Sequence, residues 1–304
     1  MIMDESLLFQ YEQYEDGIKI VDYTGHESSL AIPERIEGRP VTMIERKAFM
    51  GKKEIRSITL PRSVSFIQDF AFAKCTHLMR VTCLAGKGAV RFGRKVFEGC
   101  LDLELIMIGS DEPDDFSYLA AALSHKLDAP HLLSDPEIGN SFWLERWDLA
   151  LKSGLNKSDA DGYENTVLCG EEDTSYAGKM SVEGEIVEDV HLYMKEACKN
   201  KCDLCMLRLL HRDSLAGGTE EVLKLYLKQH AFTSENNAAY ELLKERYADD
   251  ERYIGLYLDI VSPGREEVLR MLDDIGDDLA LFRKQLILYS ADLKKRDAFD
   301  DLLF

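Results

Sequence analysis

The 304-residue chain has no apolar run approaching the ~20 residues that a membrane-spanning helix needs. Nor is a secretory leader expected from its first residues: Met1-Ile2-Met3-Asp4-Glu5-Ser6 places acids where a leader is basic, and Leu7-Leu8-Phe9 is too short for its apolar region. Positive charge is in short supply. Against 37 Lys and Arg stand 56 Asp and Glu, a formal net charge of −19. General binding to nucleic acid or to an anionic membrane is therefore disfavoured, since both need clustered cations. There is no phosphate-binding glycine loop, no nucleophile elbow and no HExxH. The seven cysteines, an odd number in a chain with an ordinary core, read as reduced thiols. These absences predict a cytoplasmic protein without a cofactor, but none of them names an activity.

An apolar content of 45% is that of a folded globular chain, and the length suggests about two domains. Charge divides the chain. Up to residue 110 there are 15 basic and 15 acidic residues, so the whole excess of acid falls on the remainder.

The neutral part repeats itself. One copy runs Ile58-Thr59-Leu60-Pro61, Val64, Ile67, Ala71-Phe72, Cys75, Leu78, and the next runs Val81-Thr82-Cys83-Leu84, Val90, Phe92, Val96-Phe97, Cys100, Leu103. A looser copy precedes them: Leu30-Ala31-Ile32-Pro33, Ile36, Val41, Ile44, Ala48-Phe49. The step is 23 residues from Phe49 to Phe72 and 25 from Phe72 to Phe97. Repetition at this period, with a short apolar strand per copy, predicts a leucine-rich solenoid. One such unit cannot bury its own apolar face, so the copies must stack. Phe49, Phe72 and Phe97 are expected in one internal column, with Ala48, Ala71 and Val96 beside it.

The Ala-Phe pairs, the I-x-[IL]-P strands and the C-x-x-L turns resemble the BspA-type bacterial leucine-rich repeats over about residues 11–109. The first copy departs from the pattern through a longer loop at Glu37-Gly38-Arg39-Pro40 and through Lys52 where Cys75 and Cys100 stand. The third lacks the proline. The resemblance implies a non-catalytic interaction surface, often on bacterial cell surfaces, and does not identify the partner.

Around the repeats, Glu15-Asp16-Gly17 is a turn signal, and Ile18, Ile20 and Asp22 alternate as a strand does. A hairpin over residues 11–25 is expected to cover the N-terminal end of the solenoid. Aligned rungs put Ser29, Ser57, Arg80 and Leu105 in one outward row, and Ala31, Thr59, Thr82 and Met107 in the next. The predicted partner face comprises Arg56, Thr59, Arg80, Thr82, Leu105 and Met107. Leu105 and Met107 admit a second reading, in which the segment that follows covers them as a cap. Ser110 or Asp111 is the expected cap of a helix carrying Phe116, Leu119, Ala120 and Leu123. Residues 128–185 are hard to read; Trp143 and Trp147 there suit core packing better than an aromatic recognition site.

From Val187 onward the pattern is helical, with breaks such as Ser262-Pro263-Gly264. Short joints imply antiparallel helices. Glu220-Glu221-Val222-Leu223-Lys224 recurs 46 residues later as Glu266-Glu267-Val268-Leu269-Arg270, a spacing compatible with a HEAT- or armadillo-like repeat. The expected architecture is α+β: a β-rich solenoid at 1–110, an irregular capping region at 111–185 and an acidic helical domain at 186–304.

Cys198-x3-Cys202-x2-Cys205 has the spacing of the cluster-binding signature of radical S-adenosylmethionine enzymes. An iron–sulfur enzyme is thus an alternative to the interaction module, and a structural subunit of a homo-oligomer is another. Helical spacing puts these cysteines on one face, with Cys198 and Cys205 about 10.5 Å apart along the axis, a long span for one cubane. Burial as small apolar side chains is the expected role. Zinc is not expected, because paired CxxC knuckles are missing although His191 and His211 lie nearby in sequence. Cys75 and Cys100 are expected as buried ladder thiols. Asp159-Ala160-Asp161-Gly162 fails as a calcium loop, since Lys157 and Leu168 occupy positions that need carboxylates. Asp273, Asp274, Asp277 and Asp278 surround a helix end and a helix start, and a helix N-terminus is sufficient partner for the second pair.

Overall fold

A computed structural model describes residues 8–127, 129–161, 181–182, 185–186 and 190–300. The N-terminal hexapeptide, Gly162, Leu168, Cys169 and Val187 lie outside the described residues. The chain separates into two compact units, residues 1–190 and 191–304.

The first unit winds as a β-solenoid of short strands. One sheet is parallel throughout and consists of β3 (Ser29–Ala31), β6 (Ser57–Leu60), β8 (Arg80–Cys83) and β10 (Leu105–Ile108), in the spatial order β10-β8-β6-β3. Its register pairs Ser29 with Ser57, Ser57 with Arg80, and Arg80 with Leu105. The repeat spacing requires this alignment. The other sheet runs β1 (Phe9–Tyr14), β2 (Gly17–Tyr23), β5 (Arg39–Ile44), β7 (Phe66–Ile67) and β9 (Arg91–Phe92), with β4 (Arg35–Ile36) paired to β5. The opening hairpin is β1–β2. Its second strand also lies parallel to β5 and so acts as the first rung of this sheet. Gly17 permits that approach, because a Cβ there would stand 2.6 Å from the Thr42 side chain. The longer loop of the first copy is a small antiparallel hairpin, β4–β5, turned by two left-handed residues, Glu37 and Gly38.

Between the sheets runs a file of rings. Phe49 and Phe72 stack at 4.9 Å, and Phe72 and Phe97 at 5.6 Å. Tyr23 and Phe9 extend the file toward the hairpin, at 5.6 and 5.2 Å. The Cys75 thiol donates to the Phe49 carbonyl at 3.0 Å, and that of Cys100 to the Phe72 carbonyl at 3.1 Å. Each ladder cysteine thereby ties its turn to the rung before it. In the first copy, Lys52 instead reaches Asp22 at 3.3 Å.

The solenoid ends under helices. Helix α1 (Asp115–His125) packs on β10. Its cap is Asp114 rather than Ser110 or Asp111: the carboxylate accepts from Ser117 N at 3.1 Å, and the Ser117 hydroxyl accepts from Asp114 N at 3.2 Å. Ser110 instead closes a local turn with Glu112. A 3-10 turn at Pro130–Ser134 packs against β9, where Ser134 accepts from Phe92 N at 2.9 Å. Helix α2 (Ser141–Leu155) follows, with Asn140 accepting from Trp143 N. Both tryptophans are fully buried. Trp143 donates to the Leu132 carbonyl at 2.9 Å and Trp147 to that of Leu119 at 3.1 Å. They are packing residues that join the parts of the cap. A two-stranded ribbon pairs β11 (Ser181–Val182) with β12 (Glu185–Ile186).

Among the described residues, the second unit has six helices: α3 (Val190–Leu210), α4 (Gly217–Gln229), α5 (Ala238–Arg246), α6 (Glu251–Val261), α7 (Arg265–Ile275) and α8 (Ala280–Asp300). Helices α6 and α7 both pack on α8, and α4 packs on α6. The break at Ser262-Pro263-Gly264 is a left-handed Ser262 that ends α6 and a Gly264 N–H that donates to Glu267 at 2.8 Å to open α7. The α+β reading therefore holds. The pentapeptide match does not mark a repeat: at 220–224 Leu223 is buried and Val222 exposed, whereas at 266–270 Val268 is buried and Leu269 exposed. The same letters face the core by different positions.

Candidate functional site

The sheet β3–β6–β8–β10 presents its outward side chains in the two rows the spacing predicts. They are not equally accessible. Arg56 and Arg80 are exposed, and Thr59 is half-buried. Thr82 is 8% exposed, Leu105 7% and Met107 1%. Helix α1 lies over β10, so its apolar residues take up Leu105 and Met107. The reading that placed Thr82, Leu105 and Met107 on an open partner face is corrected: all three are buried, the last two on the strand that α1 packs against. The physical reason is the change of the rows from polar to large and apolar toward the last rung, which burial under α1 satisfies.

What stays open is the part of the sheet around β3, β6 and β8. Arg56 and Met79 belong to adjacent rungs, since Met79 N donates to the Arg56 carbonyl at 2.8 Å. Met79 is exposed and was missed by sequence reasoning. Its signal is positional, one residue before each strand. Ser57 and Ser29 share a hydroxyl hydrogen bond of 2.9 Å across the rungs. Among the described residues, the side chains of Arg56 and Arg80 have no ion-pair partner.

On the opposite sheet three of the cations are engaged. Lys19 lies 3.0 Å from both Glu12 and Glu45, and hydrogen bonds to those two carboxylates raise its pKa. The Arg91 guanidinium sits 4.1 Å above the Phe66 ring. Arg94 and Asp69 pair at 2.9 Å, and the Arg94 backbone N–H, then its side chain, hold the Asp69 carboxyl below its usual range.

In the second unit, Cys198, Cys202 and Cys205 are all buried on helix α3, as their periodicity predicts. Cys198 and Cys202 have a neighbour that sequence spacing did not reveal. His230, the residue that caps the C-terminus of α4, brings its ring to them, and the two Sγ atoms and a ring nitrogen all lie within 4.8 Å of one another. Cys205 is not part of that group, nor are His191 and His211. Hydrogen bonding with Cys202 above all, and then with His230 and Tyr226, outweighs burial and pulls the Cys198 thiol down to about 5. Burial pushes Cys202 and Cys205 up. Of the acidic residues near the α7 end, Asp274 is engaged by Lys244 at 2.8 Å and Tyr240 at 2.9 Å, and Asp277 by Arg283 at 3.5 Å.

Residues 39–120 match the family described as BspA type leucine rich repeat region, in six copies. Similar solved structures include a Treponema pallidum leucine-rich repeat protein, 32% identical over 34% of this chain and 48% of that one, with a TM-score of 0.32. A leucine-rich cell surface protein from Faecalibacterium prausnitzii A2-165 is 30% identical over 33% of this chain and 28% of that one, TM-score 0.30. A leucine-rich repeat protein from Bacteroides capillosus is 24% identical over 36% and 87%, TM-score 0.29. The chain thus spans less than half the length of the first two. No curated protein matches it. No helix among the described residues is long and apolar enough to cross a membrane.

Proposed function

We propose, taking the BspA-type leucine-rich repeats of residues 39–120 as the premise, that the chain is a non-catalytic protein-interaction module. Its partner is received on the open face of β3, β6 and β8. The observation that carries this reading is the pair Arg56 and Arg80: exposed, on adjacent rungs and without an ion-pair partner among the described residues, whereas Lys19, Arg91 and Arg94 are all occupied. Arginine near an exposed Met79 provides the mixture of cation and apolar surface that interface cores favour. The rung-to-rung bonds hold these side chains at fixed spacing, which lowers the entropy lost on binding. The recess at Arg62, Leu84, Ala85, Gly86, Ala89 and Gly109 brings together no nucleophile with a base. The partner is a protein segment with acidic side chains on its contact surface. The same reading treats 1–110 as the binding solenoid, 111–185 as its cap and 186–304 as a separate acidic domain, working in the reducing cytoplasm where thiols such as Cys75 and Cys100 stay unpaired.

The test is affinity capture by the full chain, comparing wild type with the double variant Arg56→Glu and Arg80→Glu. Partner recovery is expected to fall at least about fivefold, the loss of a contact worth ~1 kcal/mol, with Arg91→Glu on the opposite sheet as the unaffected control. Equal recovery by wild type and the double variant removes this face from consideration.

A further inference from the structure

The cysteines of α3 differ among themselves in a way that core packing does not require. Cys205 is a buried thiol one turn beyond the pair. Cys198 and Cys202 are buried too, but polar groups from another helix and the loop after it converge on them. Two buried thiols already fill their space as small apolar side chains; the imidazole of half-buried His230, the phenol of half-buried Tyr226 and the amide of exposed Asn236 close on them from the surface side, contacts that packing alone does not require.

We propose that Cys198, Cys202 and His230 form a zinc(II) site inside the helical unit.

The spacing i, i+4 sets the two thiols one above the other on α3. The end of α4 then supplies the third ligand. All three donor atoms lie within 4.8 Å of one another. Zinc–sulfur bonds of about 2.3 Å and zinc–nitrogen bonds of about 2.0 Å in a tetrahedron require donors roughly 3.5–3.8 Å apart. Small rotations of side chains reach that geometry without moving a helix.

The tautomer of His230 points the same way. Its Nδ1 lies 2.8 Å from the Tyr226 carbonyl oxygen. A carbonyl only accepts, so Nδ1 carries a proton, and Nε2 is the nitrogen through which the ring would ligate a metal. A ligating histidine held by its other N–H on a backbone carbonyl is the usual second layer of a metal site. Around the sulfur, Asn236 Nδ2 donates to Cys198 Sγ at 3.3 Å, and the Tyr226 hydroxyl stands 3.7 Å away. Donors to sulfur stabilise a bound thiolate and lessen its charge.

On binding, Cys198 and Cys202 ligate as thiolates and His230 as the neutral imidazole through Nε2; any protons held by the thiols or by Nε2 go to solvent. Three protein ligands leave the fourth position to water. Thiolate with imidazole suits zinc, which has no geometric preference of its own. An iron–sulfur cubane needs further thiolates, and Cys205 is not part of the group. The site would fasten the end of α4 to the middle of α3.

The experiment uses the full chain, reduced and stripped of metal. Zinc chloride is titrated against a chromophoric chelator, and cobalt(II) is added in a parallel arm. Wild type is expected to take one zinc per chain, to give the sulfur-to-cobalt charge-transfer and visible bands of a tetrahedral site, and to melt at a higher temperature with zinc. Cys198→Ser and Cys202→Ser should each abolish the bands, Cys205→Ser should keep them, and His230→Gln should weaken zinc at least roughly tenfold. His230 is only half-buried, so that variant still distinguishes the outcomes if the cysteine variants fail to fold. Absence of stoichiometric zinc binding by wild type, retention of zinc by His230→Gln at wild-type affinity, or isolation of the protein with iron whose absorption is lost in Cys205→Ser would each overturn the proposal.

Discussion

Lys74 stands at a backbone position that its two equivalents fill with glycine. Gly51, Lys74 and Gly99 occupy the same corner of successive turns, and all three are left-handed, at φ 74°, 62° and 72°. A second corner does the same with Lys47, Phe70 and Lys95. Left-handed backbone costs a residue with a Cβ about 1–2 kcal/mol, and glycine in exchange loses about 0.5–1 kcal/mol of chain entropy. Lys74→Gly is therefore expected to stabilise the protein by roughly 0.5–1 kcal/mol, seen as a higher urea midpoint at an unchanged slope. A lower midpoint would show that Lys74 contributes more through its side chain than its conformation costs. The Ala-Phe and C-x-x-L letters were visible in the sequence; the left-handed corners were not, because lysine does not announce the conformation that glycine does.

Helices α5 and α7 are joined through one carboxylate. Asp274 accepts from Lys244 at 2.8 Å and from the Tyr240 hydroxyl at 2.9 Å. The hydrogen bond from Lys244, then that from Tyr240, holds its pKa below the usual carboxylate range. A folded-state pKa below the unfolded one means stability that is present above the unfolded value and lost as pH falls through the folded value. Asp274→Asn is thus expected to lower stability at neutral pH and to flatten the acid limb of the stability–pH curve, as measured by urea melts between about pH 2 and 6. A curve parallel to that of wild type would remove Asp274 from acid unfolding. Helix existence in this region was legible from apolar periodicity. Helix faces were less so: Leu225, Leu269 and Leu288 are exposed although each falls in an apolar run. An isolated run does not say which neighbour the helix will meet.

At the scale of the molecule, the first unit is a line of nearest-neighbour contacts. Phe72 sits in the middle of the file, stacked on Phe49 and Phe97. Truncating it removes contacts on both sides, and the rigid rungs cannot close the gap. Phe72→Ala is expected to cost about 3–5 kcal/mol. Both tryptophans belong to this unit, so their fluorescence follows its unfolding. A shift in that transition well under about 1 kcal/mol, small beside the usual cost of such a truncation, would mean that the file is not what holds the solenoid together. The net charge lies elsewhere: residues up to 110 are balanced, and the −19 is carried by the rest. The cations of the solenoid face are thus not outnumbered on their own part of the chain.

By itself the sequence determined the repeat, its period, its register and its internal rings, since a solenoid writes each contact as a fixed step along the chain. It also determined that the cysteines of α3 share a face, which is a property of one helix. Tertiary structure alone decided which rungs stay open, because α1 comes from outside the repeat and covers Leu105 and Met107. It alone brought His230 to Cys198 and Cys202, across a turn and a second helix, where no spacing rule reaches. Local periodicity encodes what a residue shares with its own element; the partner from another element is set by how the elements pack.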